Sequence, residues 1–421
     1  MVTVITPASI AGTLKAPPSK SSMQRACAAA LLHKGTTTIH NAGNSNDDKA
    51  AIDIIQHLGA IVNRSEADGS YTIESNGIKP TNANIKCGES GLSIRMFASI
   101  AALSNLPLIL NGKGSLLNRP MNFFDETLPL MGVQTQTNNG RLPLQVQGPL
   151  SPSNITIDGS LSSQFLTGLL FAFSQTKEYP VTITVHNLAS KPYIDLTLDT
   201  MKAFGLNVPV NDGYRHFTFN VPVANHLPRH IDYTVEGDWS SASFMLVAAA
   251  IGGSITVSGL NHLSDQADKA ILTALKQAGS TPFISPEEVS VHANNLKAFD
   301  FDATDCPDLF PPLVAMAAWC KGTTRIKGTH RLQHKESNRA VALQQEFAKM
   351  GVAINCDNDT MCIHGGGEII GANIDPHGDH RIAMACAIAG LRAKGQTTIE
   401  DAEVVNKSYP GFFEDLAARS K

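Results

Sequence analysis

The sequence predicts an α/β (α+β) protein of two similar domains, each built from three repeated βαβαββ units with buried helices. Three observations predict it. A short β-branched strand recurs six times at a period of about 70 residues, the signature of an internal repeat. Its copies read GTTTIHN (35–41), LPLILNG (106–112), VTITVHN (181–187), GSITVSG (253–259), GTTRIKG (322–328) and GQTTIED (395–401). A helix candidate precedes each, over 21–32, 90–103, 163–174, 240–250, 310–320 and 379–393. Several are apolar almost all round (FLTGLLFAF, FMLVAAAI, PLVAMAAW), which marks enclosed helices. Finally, 421 residues exceed one ordinary core and ask for two or three domains.

The segments between repeats complete the unit. Helical spacing of apolar residues runs over 47–58, 123–131, 194–204, 267–278 and 340–350, and most are followed by a strand pair such as AIVNR and YTIES. Each unit reads strand, helix, strand, helix, strand, strand. One such unit is too small to enclose its own apolar helix, so three must share a core, giving domains of roughly 200 residues. A propeller or solenoid would leave helices with one buried face, and six unrelated strands would not keep the spacing.

Composition narrows the class of function. Hydrophobic content of 43 % and charged content of 17 % suit buried cores, not disorder. A net charge of −4 offers no basic surface for nucleic acid or anionic membrane, so any anion site must be a local concentration of cations. Seven scattered cysteines, never spaced CxxC, argue against a disulfide framework or zinc site and for a reducing compartment. The beginning MVTVITPASIAGTLK lacks the regions of a signal peptide, and no apolar stretch reaches membrane length. A cytoplasmic protein with no membrane or nucleic-acid partner is expected.

Five segments combine a helix start or turn with anion-binding groups. In Ala16-Pro-Pro-Ser-Lys-Ser-Ser-Met-Gln-Arg25 two prolines stiffen the approach, and Ser21 to Gln24 has the S-x-x-Q form of a capping box. A helix is therefore expected to start at Ser21, with Lys20 and Arg25 near its positive end. The second segment is Cys87-Gly-Glu-Ser-Gly-Leu-Ser-Ile-Arg95, with Arg119 after the next strand. The third is Ser162-Ser163-Gln164, joined by Ser190-Lys-Pro-Tyr193; the fourth His334-Lys335-Glu336-Ser-Asn-Arg339; the fifth Asp379-His-Arg381, with Lys407 further on. Each has a plain alternative: Ser162 as a helix cap, Glu336 and Arg339 as a surface pair. A metal at His377 and His380, or a nucleophilic Cys87, has little to support it. No phosphate-binding Walker motif is present. Together, most of these sites occupy equivalent places in the repeat, helix starts in both halves, which suits a cleft between two domains closing on a strongly anionic substrate.

Ten ordered segments resemble the 5-enolpyruvylshikimate-3-phosphate synthases: PSKSSMQR (18–25), CGESGLSIR (87–95), NRP (118–120), SSQF (162–165), SKPYIDLTL (190–198), EGDWSSASF (236–244), DCPDLFP (305–311), HKESNR (334–339), GDHRIAM (378–384) and NKSYP (406–410). The resemblance implies an inside-out α/β barrel in each domain. One domain comprises residues 1–18 plus 236–421 and the other, inserted, 19–235. It also implies transfer of the enolpyruvyl group of phosphoenolpyruvate to the 5-hydroxyl of shikimate 3-phosphate, with release of phosphate and without metal or organic cofactor. A monomer is expected.

By the same resemblance Ser21 and Arg25 hold shikimate 3-phosphate, Ser162, Ser163 and Ser190 its phosphate, and Tyr193 and Lys335 line its site. Gln164 sits between the substrates. Lys20, Gly91, Arg119, Arg339, Arg381 and Lys407 surround phosphoenolpyruvate. Asp308 is the carboxylate for the hydroxyl proton and Glu336 for the methylene carbon, with Lys20 assisting; Lys20 and Asp308 also touch shikimate 3-phosphate. The nearest rival is the UDP-N-acetylglucosamine enolpyruvyl transferases, but the loop 111–119 lacks the cysteine usual there. A silent anion-binding protein would have no need of Asp308 and Glu336 beside the cations.

Four positions depart from the resemblance. Pro18 stands where Gly is usual, Glu89 for Asn, Leu92 for Thr and Asn338 for Asp. Leu92 and Met96 alter the helix behind Gly91, beside the expected phosphoenolpyruvate pocket. Glyphosate, the inhibitor that occupies this pocket, is therefore expected to bind weakly. Inhibition competitive with phosphoenolpyruvate, at concentrations typical of sensitive members, would contradict this.

Overall fold

Each of the six β-branched repeats forms an inner strand of its own sheet in the computed structural model, which describes residues 1–222 and 229–421. The strands are Gly35–His40, Leu108–Asn111, Val181–His186, Gly253–Ser258, Gly322–Lys327 and Thr397–Ile399. Every one has a parallel neighbour on one side and an antiparallel neighbour on the other. The equivalent residues Ile39, Leu110, Val185, Val257, Ile326 and Ile399 are all buried. Their neighbours along each strand are more exposed, as the two-residue period of a half-buried sheet requires.

The helices, in chain order, are α1 (Lys20–Leu32), α2 (Asn46–His57), α3 (Gly91–Ala101), α4 (Asn122–Thr127), α5 (Ser163–Phe173), α6 (Pro192–Ala203), α7 (Trp239–Gly252), α8 (Ile271–Gln277), α9 (Phe310–Trp319), α10 (Arg339–Lys349), α11 (His380–Gly390) and α12 (Phe412–Arg419). The odd-numbered ones are the apolar helices that precede the repeat strands. Every residue of α3, α7 and α11 is buried, so these helices are core on all sides. The even-numbered helices bury one stripe only, as in α2 with Ala51, Ile54 and Ile55. Two of them are shorter than their apolar spacing suggests. Pro129 cannot donate to the α-helical ladder, and Leu128–Met131 tightens into a 3-10 turn after α4; a similar turn, Ala267–Ala270, precedes α8.

The chain divides into two compact units, residues 1–19 with 236–421, and residues 20–235. Ser19 goes with the first of these, its N–H donating to Glu236 O at 2.8 Å. Strand Ile10–Lys15 lies parallel to Gly253–Ser258 and runs on into α1, whereas His230–Thr234 lies parallel to Gly35–His40 and runs on into α7. Each unit thus takes its first strand from one passage of the chain and the helix that packs after it from the other. Where the two passages meet, Pro18 and Gly237 form an antiparallel bridge. Its bonds are Ser19 N to Glu236 O and Asp238 N to Pro17 O, both 2.8 Å, so the N–H that Pro18 lacks is not one the bridge uses. The sixth sheet differs from the other five. It has three strands, and its antiparallel member is Thr3–Ile5 rather than half of a local hairpin.

The expected start of α1 needs correction. The helix begins at Lys20, and Gln24 does not reach back to Ser21 as a capping box would require. Gln24 Oε1 instead accepts from Ser90 Oγ at 2.8 Å and Ser93 Oγ at 2.9 Å, tying α1 to α3. The pattern S-x-x-Q was present, but a buried partner on a neighbouring helix outcompeted the local backbone.

Close helix packing explains one glycine. A Cβ at Gly168 of α5 would lie 2.7 Å from Met96 O and 2.8 Å from Arg95 O, so only a bare backbone lets α5 lie against α3. In an isolated helix Gly→Ala gains up to about 1 kcal/mol. Here the clash is with main-chain atoms, and Gly168→Ala is expected to destabilise by roughly 1–3 kcal/mol. A lowered urea midpoint in a denaturation series checks this.

Candidate active site

In the unit 20–235 the predicted residues gather at the starts of α1, α3, α5 and α6. Lys20 opens α1, and its Nζ pairs with Asp47 Oδ2 at 3.0 Å. Asp47 and Asp48 are buried in the first turn of α2, behind a capping box made by Ser45 and Asp48. Burial pushes the Asp48 carboxyl up to about 6, against the hydrogen bonds from Ser45.

One turn along α1, Arg25 is 1 % exposed. Its Nη1 donates to Ser21 O at 2.9 Å, its Nη2 to Tyr193 O at 3.2 Å and its Nε to Thr197 Oγ1 at 2.9 Å. Thr197 in turn donates to Tyr193 O and meets Thr167. Burial lowers the guanidinium to about 10, leaving it charged near neutrality. Among the described residues its hydrogen-bond partners are all neutral. A buried cation ringed by neutral acceptors is an unfinished electrostatic arrangement, which an anion completes.

Gly91 starts α3 behind the cap Ser90. A Cβ there would collide with Arg119 Nη1 and lie 3.7 Å from Gln164 Oε1, so Gly91, Arg119 and Gln164 converge on one point. Gln164 Oε1 accepts from Arg95 Nη1 at 3.0 Å, and Arg95 lies over the Phe165 ring. Ser162 caps α5, accepting from Gln164 N at 3.3 Å, while Ser163 is buried in its first turn. Ser190 is buried with a positive φ of 57°, and its carbonyl accepts from Tyr193 N as the chain enters α6.

The departures in this unit have local causes. A Cβ at Gly114 would stand 2.7 Å from Glu89 Oε1, so the Glu89 carboxylate lies against Gly114. Gly114 begins the 3-10 turn Gly114–Asn118 that ends at Arg119. Backbone bonds from Cys87 N to Asn111 O and from Lys113 N to Gly88 O, both 2.8 Å, seat one loop on the other. Glu89 thus adds its charge to a turn N-terminus, where a carboxylate is favourable. Leu92 and Met96 are both buried. Burial also pushes the Cys87 thiol up, which removes the thiolate a nucleophile needs.

The other unit assembles an ion cluster at the starts of α9, α10 and α11. Asp308 lies in the 3-10 turn Pro307–Leu309 that leads into α9. Its Oδ1 accepts from Arg339 Nη1 at 2.7 Å and Lys335 Nζ at 3.1 Å, and its Oδ2 from Arg381 Nη2 at 3.3 Å. Arg339, 1 % exposed, also donates to Glu336 Oε2 at 2.6 Å and to Asp379 Oδ2 at 2.7 Å. Asp379 caps α11, accepting from Arg381 N, and receives Ser337 Oγ. Asn338 caps α10 through Val341 N, a task its amide oxygen performs as an aspartate would.

Three cations meet three carboxylates in this cluster. Burial alone would raise Asp308, but Arg381, Lys335 and Arg339 hold it well below the usual carboxylate range. Burial lowers Lys335 against the pull of Asp308. For Arg339 the burial penalty is overcome by Asp379, Glu336 and Asp308, which raise it well above its ordinary value. Lys407, buried, ends the 3-10 turn Ala402–Lys407 that packs on α11. The two histidines of the glycine turn go separate ways: His377 bonds Glu346, and His380 is buried inside α11.

Several residues were given no role in the site from the sequence. Arg95 lies one helical turn after Gly91, a spacing that could have found it. Asp47 and Asp379 sit in helix-start patterns, and each holds a site cation. Thr197 carries no signal of its own. Nor does Asp268, which burial and then the Asp308 charge push up to about 7, and which accepts from Ser240 Oγ.

Comparison with known proteins identifies the family. The 3-phosphoshikimate 1-carboxyvinyltransferase of Methanocorpusculum labreanum is 36% identical over 420 residues, covering 99% of this chain and 98% of that protein. That of Clostridium perfringens is 36% identical over 415 residues, covering 98% and 97%. The solved structure of EPSP synthase from Acinetobacter baumannii superposes with a TM-score of 0.82 at 25% identity, covering 100% of this chain and 98% of that one. The family model for EPSP synthase (3-phosphoshikimate 1-carboxyvinyltransferase) matches residues 4–416, and the chain belongs to that family.

Proposed function

We propose that this protein transfers the enolpyruvyl group of phosphoenolpyruvate to the 5-hydroxyl of shikimate 3-phosphate, in aromatic amino-acid biosynthesis, and that both ion clusters serve this one reaction. The observation that carries the reading is Arg25, a buried guanidinium whose described hydrogen-bond partners are neutral. Its partners are Ser21 O, Tyr193 O and Thr197 Oγ1, and in this reading it meets the carboxylate of an anion whose phosphate Ser162, Ser163 and Ser190 hold. Lys20, Arg119, Arg339, Arg381 and Lys407 then surround phosphoenolpyruvate.

The reaction adds the 5-oxygen to C2 of phosphoenolpyruvate while the hydroxyl proton leaves and the methylene carbon gains one. The tetrahedral adduct then loses a methyl proton and inorganic phosphate, restoring the double bond. Asp308 takes the hydroxyl proton and Glu336 serves the methylene carbon, with Lys20 assisting. In the arrangement described, Asp308 is a weak base because three cations hold it ionised. Substrate anions that draw on Arg381, Lys335 and Arg339 relieve that hold, so the Asp308 proton affinity rises as the site fills. The cations in turn stabilise the carboxylate and phosphate through the reaction, more strongly as water is excluded.

Phosphate release from phosphoenolpyruvate is expected with shikimate 3-phosphate and not with UDP-N-acetylglucosamine. Turnover with the sugar nucleotide alone would overturn the reading. Glu336→Ala is expected to lower kcat by about 10²–10⁴-fold, the usual range for a lost acid–base group. Shikimate 3-phosphate affinity, measured by calorimetry on the same variant, should stay within a few-fold of the parent.

A further inference from the structure

The loop that leads into α11 is tied to α10 at two points. Arg339 and Glu346 are seven residues apart on α10, two turns along one face. Arg339 holds Asp379, the cap of α11. Glu346 holds the loop just before it. Its Oε2 accepts from Asp375 N at 3.1 Å and its Oε1 from His377 Nε2 at 2.8 Å, while Lys349 Nζ donates to Oε2 at 2.7 Å. Glu346 is 1 % exposed, so these donors replace the water its carboxylate has lost.

The loop conformation needs such a tether. His377 has φ 54° and Gly378 φ 67°, two successive residues in the left-handed region, and an L side chain there is uncommon. His377 N also donates to Asp375 Oδ1 at 2.7 Å, which folds the turn back toward Glu346. Two residues later the chain reaches Asp379, and Arg381 follows with its guanidinium on Asp308. Neither Glu346 nor His377 bonds Asp308, Lys335 or Arg381 in the contacts described.

We propose that His377 and Glu346 are positioning residues: their hydrogen bond fixes the turn that starts α11 and thereby aims Arg381 at the phosphoenolpyruvate side of the reaction. The role assigned to Arg381 rests on the functional reading above; the clamp itself does not.

The test compares His377→Ala with His377→Gln, whose amide restores a donor. In His377→Ala the KM for phosphoenolpyruvate should rise about tenfold, the scale of one hydrogen bond to a charged group. The KM for shikimate 3-phosphate and the kcat should change less than about threefold, and His377→Gln should recover most of the loss. Hydrogen exchange at the amides of residues 379–383 should quicken in His377→Ala and return in His377→Gln. Unchanged exchange in His377→Ala would overturn the clamp. Faster exchange with an unchanged phosphoenolpyruvate KM, or with equal rises in both KM values, would overturn the aiming role. Should the parent protein release no phosphate with shikimate 3-phosphate, the functional reading falls, and exchange alone decides the clamp.

Discussion

A helix enclosed on every side can meet a ligand only at its ends. The inner helices α1, α3, α5, α7, α9 and α11 are buried along most of their length, so most of their polar capacity lies in the first two turns; in the first, backbone N–H groups are unsatisfied and the helix dipole contributes about half a positive charge. Lys20, Gly91, Ser163, Asp308 and Arg381 all stand at or within two residues of such a start. The repeat therefore does more than fill space. It presents the same electropositive end several times over, and side chains at those ends decide what is bound.

The two units handle buried charge differently. Around Asp308 the cations are matched by carboxylates, so the cluster compensates its own charge. Around Arg25 the described hydrogen-bond partners are neutral dipoles. Burying an ion among imperfect partners costs several kcal/mol. Under the proposed function that cost is returned as ligand affinity.

Much of this was legible in the sequence because it is periodic. The β-branched strands and apolar helices follow burial, and burial follows the repeat, so Ile39 and Ile399 predict one another's environment across the whole chain. The cationic helix starts were legible as motifs, Lys335 to Arg339 above all. What could not be read was pairing at a distance. Gln24 looked like a local cap and bonds Ser90 and Ser93; Glu89 looked like a stray charge and lies on Gly114. Asp268 is shifted by burial and then by Asp308, forty residues away in sequence, and no spacing rule reaches that far. Pro18 raised the question of a lost donor, and the answer lay in which N–H groups the bridge to Gly237 employs.

The double passage of the chain between units also orders events in time. The unit 20–235 is one continuous stretch, and its last strand, His230–Thr234, pairs with Gly35–His40 inside that stretch, so it needs no residue synthesised later. The other unit is split: Ile10–Lys15 is made early yet pairs with Gly253–Ser258, and Thr3–Ile5 pairs with Thr397–Ile399. Closing a loop of that length carries a large entropic cost before any contact rewards it. With the inserted unit already folded, the intervening chain is short-circuited, and the two ends that must meet start close together. The insertion that looks like an interruption is thus what makes the split unit practical to fold.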